Sequence, residues 1–85
     1  MAYRLESHAE VAARIRREFD TYADSVLLTE QEAGPAIGFS PHSLKFWRRN
    51  EPSKGPRPIF LHGMVRYKAG ELRRWLAATQ AESAA

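Results

Sequence analysis

The sequence predicts a mainly α-helical chain with one small β-hairpin, arranged as a winged helix-turn-helix with an extra N-terminal helix. Three observations predict it. Two capping boxes, Ser7 with Glu10 and Thr29 with Glu32, each open a candidate helix. A Gly38-Phe39 turn then leads into a third helix that begins Ser40-Pro41, an N-cap followed by the helical position where proline is welcome. Finally, Ile59-Phe60-Leu61 and Val65-Arg66-Tyr67 read as two short strands around His62-Gly63-Met64, a three-residue loop containing glycine. The expected division is an N-terminal helical extension over 1–26, a winged domain over 27–79 and a flexible tail over 80–85.

Taken in order, residues 1–6 read as frayed, and a helix follows at about 8–22. Val11, Ile15, Phe19 and Tyr22 recur on one helical stripe, with Ala12 beside them. That stripe needs a cover, either the rest of the domain or another subunit. Arg14, Arg16 and Arg17 lie mainly off it and read as a solvated face interleaved with Glu10, Glu18 and Asp20, a phosphate contact being the lesser alternative. Val26-Leu27-Leu28 is an apolar lead-in to the helix capped by Thr29. Gly34 and Pro35 compromise that helix, because proline beyond the first turn loses a hydrogen bond and clashes with the carbonyl four residues back. The helix is therefore expected to be short, or kinked near residue 34, and to end at Gly38. Phe39 is expected in the core.

The third helix runs to about Arg49. At about 100° per residue, Leu44 and Trp47 face inward, while His42, Lys45, Phe46 and Arg49 face outward with Ser43 on one flank. Arg48 sits near the inward edge, where its aliphatic stem can cover the core. Phe46 admits two readings: a core residue with the helical phase shifted, or a side chain that serves a partner. Asn50 to Pro58, with Pro52, Gly55, Pro56 and Pro58, excludes regular structure. Two strands alone are marginal, so the hairpin must pack on the helices. A last helix at about 69–79 turns Leu72, Trp75 and Leu76 inward and points Arg73 and Arg74 away, leaving Gln80 to Ala85 as a loose tail.

At 85 residues with no cysteine, the chain suits a single domain in a reducing cytoplasm, and no apolar run approaches signal-peptide or membrane-spanning length. A soluble, cytoplasmic protein is expected. The formal charge of +3 conceals a separation along the chain. Residues 1–40 hold four basic and seven acidic side chains; residues 41–74 hold nine basic ones against Glu51 and Glu71. A basic half of this kind points to a polyanionic partner, because each neutralised phosphate releases counterions. In a winged helix-turn-helix the second helix of the motif enters the major groove with its N-terminal residues at base edges. The candidate recognition set is therefore Ser40, His42, Ser43, Lys45, Phe46 and Arg49. The serines and the histidine exchange hydrogen bonds there, and Lys45 and Arg49 reach phosphates or guanine. The candidate wing set is Arg57, His62, Met64, Arg66 and Lys68, placed to follow the neighbouring backbone or minor groove.

The segments LLTEQEA, IGFSPHSLKFWRRN and GPRPIFLHGMVRYKAGELRRWL, spread over about residues 27–77, resemble the MerR/excisionase-like winged helix-turn-helix family. The resemblance implies DNA-facing positions at Ser43, Lys45, Phe46 and Arg49, a wing strand carrying Arg66, and core positions at Leu28, Leu44, Trp47, Tyr67, Leu72 and Trp75. Phe46 stands where that family often carries tyrosine, and Gly34-Pro35 interrupts a helix that is usually unbroken. The small size implies a phage or integrative-element excisionase, a recombination directionality factor, rather than an effector-sensing MerR regulator. Such a protein binds adjacent sites on double-stranded DNA, bends them and biases an integrase towards excision. A small AlpA-type transcriptional regulator is the alternative within the family. A protein-interaction adaptor acting through the 8–22 helix, without a DNA role, is the alternative outside it. Side-by-side self-association on DNA is expected, with the N-terminal helix as the candidate contact.

Catalysis and cofactors are not expected. His8, His42 and His62 lack metal-ligand spacing, and no G-x-S-x-G elbow or Gly-rich phosphate loop occurs. Trp47 and Trp75 fall on apolar stripes and read as core rather than as base-stacking platforms.

Overall fold

Both capping boxes form. A computed structural model describes residues 5–84; the N-terminal residues expected to be frayed lie outside it except Leu5 and Glu6. The Ser7 hydroxyl accepts from the Glu10 N–H, and the Glu10 carboxylate accepts from the Ser7 N–H, opening α1 (His8–Glu18). Thr29 and Glu32 do the same for α2 (Glu30–Ile37). The expected helix over 8–22 is α1 followed by a tighter 3-10 turn, Phe19–Thr21. Past Pro35, α2 ends short, as expected, at Ile37, with Gly38 as its cap at φ 78° and the Phe39 N–H donating to the Gly34 carbonyl at 2.9 Å. The other elements are β1 (Leu27–Leu28), α3 (Pro41–Asn50), β2 (Ile59–Leu61), β3 (Met64–Lys68) and α4 (Ala69–Ala84). The described residues are thus mainly helical, with four α-helices and a small antiparallel sheet in the order β1-β3-β2.

Helix α2 is the hub, touching α1, α3, α4, β1 and β3. The α1 stripe closes over it: Ile15 is fully buried and Val11 and Phe19 nearly so. Leu28, Ala33, Ile37, Leu44, Tyr67, Ala69 and Leu72 complete the core. Burying a side chain such as Leu44 contributes roughly 1.5–3 kcal/mol. Because α1 covers its stripe within the chain, that stripe offers no apolar face to another subunit. Gly34 lets α2 and α3 approach closely. A Cβ there would lie 2.8 Å from both the Phe39 carbonyl oxygen and the Pro41 nitrogen.

Several expectations are corrected. Leu27-Leu28 is a strand, paired Leu27 to Lys68 and Leu28 to Tyr67. The hairpin loop has two residues rather than three. Leu61 pairs with Met64, and His62 and Gly63 both take positive φ, 50° and 79°. This is the mirror-image turn whose twist matches a hairpin. The tail from Gln80 is helical through Ala84, extending α4. Phe39 is 42% exposed rather than core, its ring edge-on to Trp47 and Trp75 at centroid distances of 5.1 and 5.7 Å. Among the described residues, no helix is long and apolar enough to cross a membrane.

Three arginines tie elements together: Arg14 and Arg73, expected at solvated positions, and Arg48, expected near the inward edge. Arg14 bridges Glu6 and Glu32, each at 2.9 Å, joining α1 to α2. Arg48 holds Glu30 at 2.9 Å, and the Tyr67 hydroxyl donates to the same carboxylate at 3.1 Å. Burial, and then the Glu30 charge, push the Tyr67 hydroxyl above its ordinary value and keep it a donor. Arg73 holds Asp24 at 2.7 Å and donates to the Phe19 and Tyr22 carbonyls. Burial works to raise the Glu32 carboxyl, but hydrogen bonds from Thr29 and Arg14 outweigh it and hold the group below its usual 4.5. A depressed folded-state value stabilises the fold above the unfolded value and stops doing so as pH falls through the folded one. Urea unfolding should therefore show stability falling as the pH drops below the usual carboxylate range, a fall that is smaller in Glu32→Gln.

Candidate nucleic-acid interface

Helix α3 presents its outer face because its inner face is anchored. The Ser40 hydroxyl accepts from the Ser43 N–H at 3.2 Å, fixing the first turn. Leu44 is buried, and Trp47 is half-buried against Phe39 and Trp75. Gly55 lies against the Trp47 ring, and the Trp75 indole donates to the Lys54 carbonyl at 3.1 Å, so the loop after α3 folds back over this aromatic cluster. The opposite face carries exposed His42, Lys45, Phe46 and Arg49, which with Asn50 line one shallow groove. The helical phase read from the sequence therefore holds, and Phe46 is an outward residue, 53% exposed. Ser40 and Ser43 flank this face with their hydroxyls 3.2 Å apart, so each is partly committed to the cap.

The wing candidates divide by position. His62 occupies the hairpin turn with positive φ. Met64, Arg66 and Lys68 alternate along one face of β3, opposite Val65 and buried Tyr67. Arg66 donates to the Val65 carbonyl at 2.7 Å and to the Met64 sulfur at 3.7 Å, which steadies the guanidinium without neutralising it. Arg57 and Lys68 meet in a second groove at the foot of the hairpin, with Ile59, Glu71 and Arg74. The α3 face and the hairpin foot are separate grooves.

The ion pairs sort the cations into two groups. Arg14, Arg17, Arg48, Lys54, Arg73 and Arg74 each have a carboxylate partner. Among the described residues, Arg16, Lys45, Arg49, Arg57, Arg66 and Lys68 have none. Five of these six unpaired cations belong to the candidate sets read from the sequence.

Two further residues border these grooves: Asn50, which the sequence did not single out, and Arg16, for which a phosphate contact was the lesser alternative. Asn50 donates from its side-chain amide to the Phe46 carbonyl at 3.1 Å and borders the α3 groove; its position four after Phe46 was the available signal. Arg16 shares a groove with His8, Gln31, Pro35 and the Gly38–Pro41 turn, beside the start of α3. No local sequence signal separated Arg16 from Arg14, because only the fold shows which of them finds carboxylates. No metal-ligating cluster occurs among the described residues. The arrangement can bind an anionic lattice through fixed cations and offer hydrogen-bond donors beside an exposed ring. No family model, curated protein or solved structure matches the chain.

Proposed function

We propose that this chain is a sequence-specific protein that binds and bends double-stranded DNA, of winged helix-turn-helix type. In this reading α2 and α3 form the helix-turn-helix, α3 lies in the major groove, and the β2–β3 hairpin is the wing. The observation that carries it is the sorting of the cations. The fold pairs the arginines that join its elements and leaves without carboxylates those on the outer face of α3, on β3 and at the hairpin foot. Unpaired cations at fixed spacing suit a phosphate backbone, and a helix face bearing His42, Lys45, Arg49 and Asn50 suits base edges. Arg16, beside the start of α3, adds a backbone contact. An adaptor acting through α1 is less well supported, because the apolar stripe of α1 is already covered by α2.

The resemblance of residues 27–77 to the MerR/excisionase-like family supports the finer reading: a recombination directionality factor that occupies adjacent sites and biases an integrase towards excision. Gel-shift with attachment-region duplex should give stepwise complexes, and addition of the protein to an integrase reaction should raise excision over integration. A single complex at every site spacing, with the excision ratio unchanged, would remove the recombination role.

A further inference from the structure

Phe46 is the one member of the outer α3 face that cannot form a side-chain hydrogen bond. It is 53% exposed, and it takes no part in the ring contacts that join Phe39, Trp47 and Trp75. The fold therefore gains little from it. On a helix its facing neighbours are His42, Arg49 and Asn50, at four before, three after and four after, and Lys45 lines the same groove. They surround the ring with polar groups in the same groove. The Asn50 amide on the Phe46 carbonyl ties the last turn to that position.

An apolar ring encircled by donors restricts what it can face. In the major groove every base offers nitrogen or oxygen atoms that donate or accept hydrogen bonds, and thymine alone adds an apolar group, its 5-methyl. A phenyl ring pressed on guanine O6 or cytosine N4 would strip water from a polar atom and return no hydrogen bond. Pressed on the thymine methyl, it buries apolar surface on both sides.

We propose that Phe46 is a specificity-determining residue that selects thymine by packing on its 5-methyl group, while Lys45 and Arg49 engage the flanking phosphates or purine edges. This rests on the DNA-binding reading above, and the two fail differently.

The test uses the full-length chain and a random-sequence duplex library. Bound duplexes are selected, then resynthesised with deoxyuridine for thymidine one position at a time, which removes only the methyl. Wild type should lose about fourfold in affinity at one thymine of the bound site, the worth of one buried methyl. Phe46→Ala should bind more weakly overall, keep the wild-type melting temperature and show no further loss with deoxyuridine, because the two changes delete the same contact. An equal deoxyuridine penalty in both proteins, or none in wild type, overturns the thymine assignment and leaves DNA binding standing. If the library shows no salt-sensitive binding by wild type, the DNA-binding reading itself falls and this inference with it.

Discussion

Gly34→Ala should cost the fold about 3 kcal/mol, the upper end for overpacking a well-fitted site. The new methyl would sit 2.8 Å from the Phe39 oxygen and the Pro41 nitrogen and 3.0 Å from the Ser40 carbonyl carbon. All three are backbone atoms, so no side chain can swing away to make room. The turn between α2 and α3 must shift instead, and the start of α3 moves with it. Against a total stability of roughly 5–15 kcal/mol, this is a large fraction. Urea unfolding measures it directly. Gly38→Ala is the internal comparison: a Cβ there meets nothing within 4 Å, and only its φ of 78° opposes the change. It should cost about 1 kcal/mol. A Gly34 variant no less stable than the Gly38 variant would mean that the close approach of α2 and α3 is not needed.

Arg49→Ala and Lys45→Ala should each weaken DNA binding by about 10- to 100-fold while leaving stability within about 0.5 kcal/mol of wild type. Both side chains are exposed and neither holds a carboxylate among the described residues. Arg48→Ala, the adjacent substitution, should behave in the opposite way. Its guanidinium holds Glu30, which in turn accepts from the buried Tyr67. Removing it should destabilise the fold by about 2 kcal/mol, through a partly buried carboxylate left with one partner fewer. Fluorescence anisotropy with labelled duplex and urea unfolding, applied to all three variants, separate the two roles. Equal loss of binding in all three, in step with stability, would mean that α3 acts only as scaffold.

The parts of this fold that were legible in the sequence are the ones that depend on near neighbours. Ser7 with Glu10, Thr29 with Glu32 and Ser40 with Pro41 mark helix starts, because each cap closes within three residues. The outward phase of His42, Lys45, Phe46 and Arg49 follows from the helical period once Leu44 is placed inward. What was not legible depends on distant partners. Leu27-Leu28 becomes a strand only through β3, some forty positions on. The hairpin turn shortened because His62 adopts a positive φ, which a short loop containing glycine does not reveal. Gln80 to Ala84 had no tertiary stripe to announce it, yet contains neither proline nor glycine to stop α4. The same holds for the charges. Arg14 with Glu32, Arg48 with Glu30 and Arg73 with Asp24 meet across 18, 18 and 49 positions. Only these pairings reveal which cations remain free for a partner.

In the proposed reading the unpaired cations form a phosphate-binding surface. The most direct test is the salt dependence of binding by the full-length chain to a duplex of about 30 base pairs. Each phosphate neutralised contributes about −0.9 to the slope of log K against log salt. If most of Arg16, Lys45, Arg49, Arg57, Arg66 and Lys68 engage the backbone, the slope should lie between about −4 and −5. It should become shallower by about 1 in Arg57→Ala and in Lys68→Ala. A slope near zero, or one unchanged by either substitution, would contradict the account.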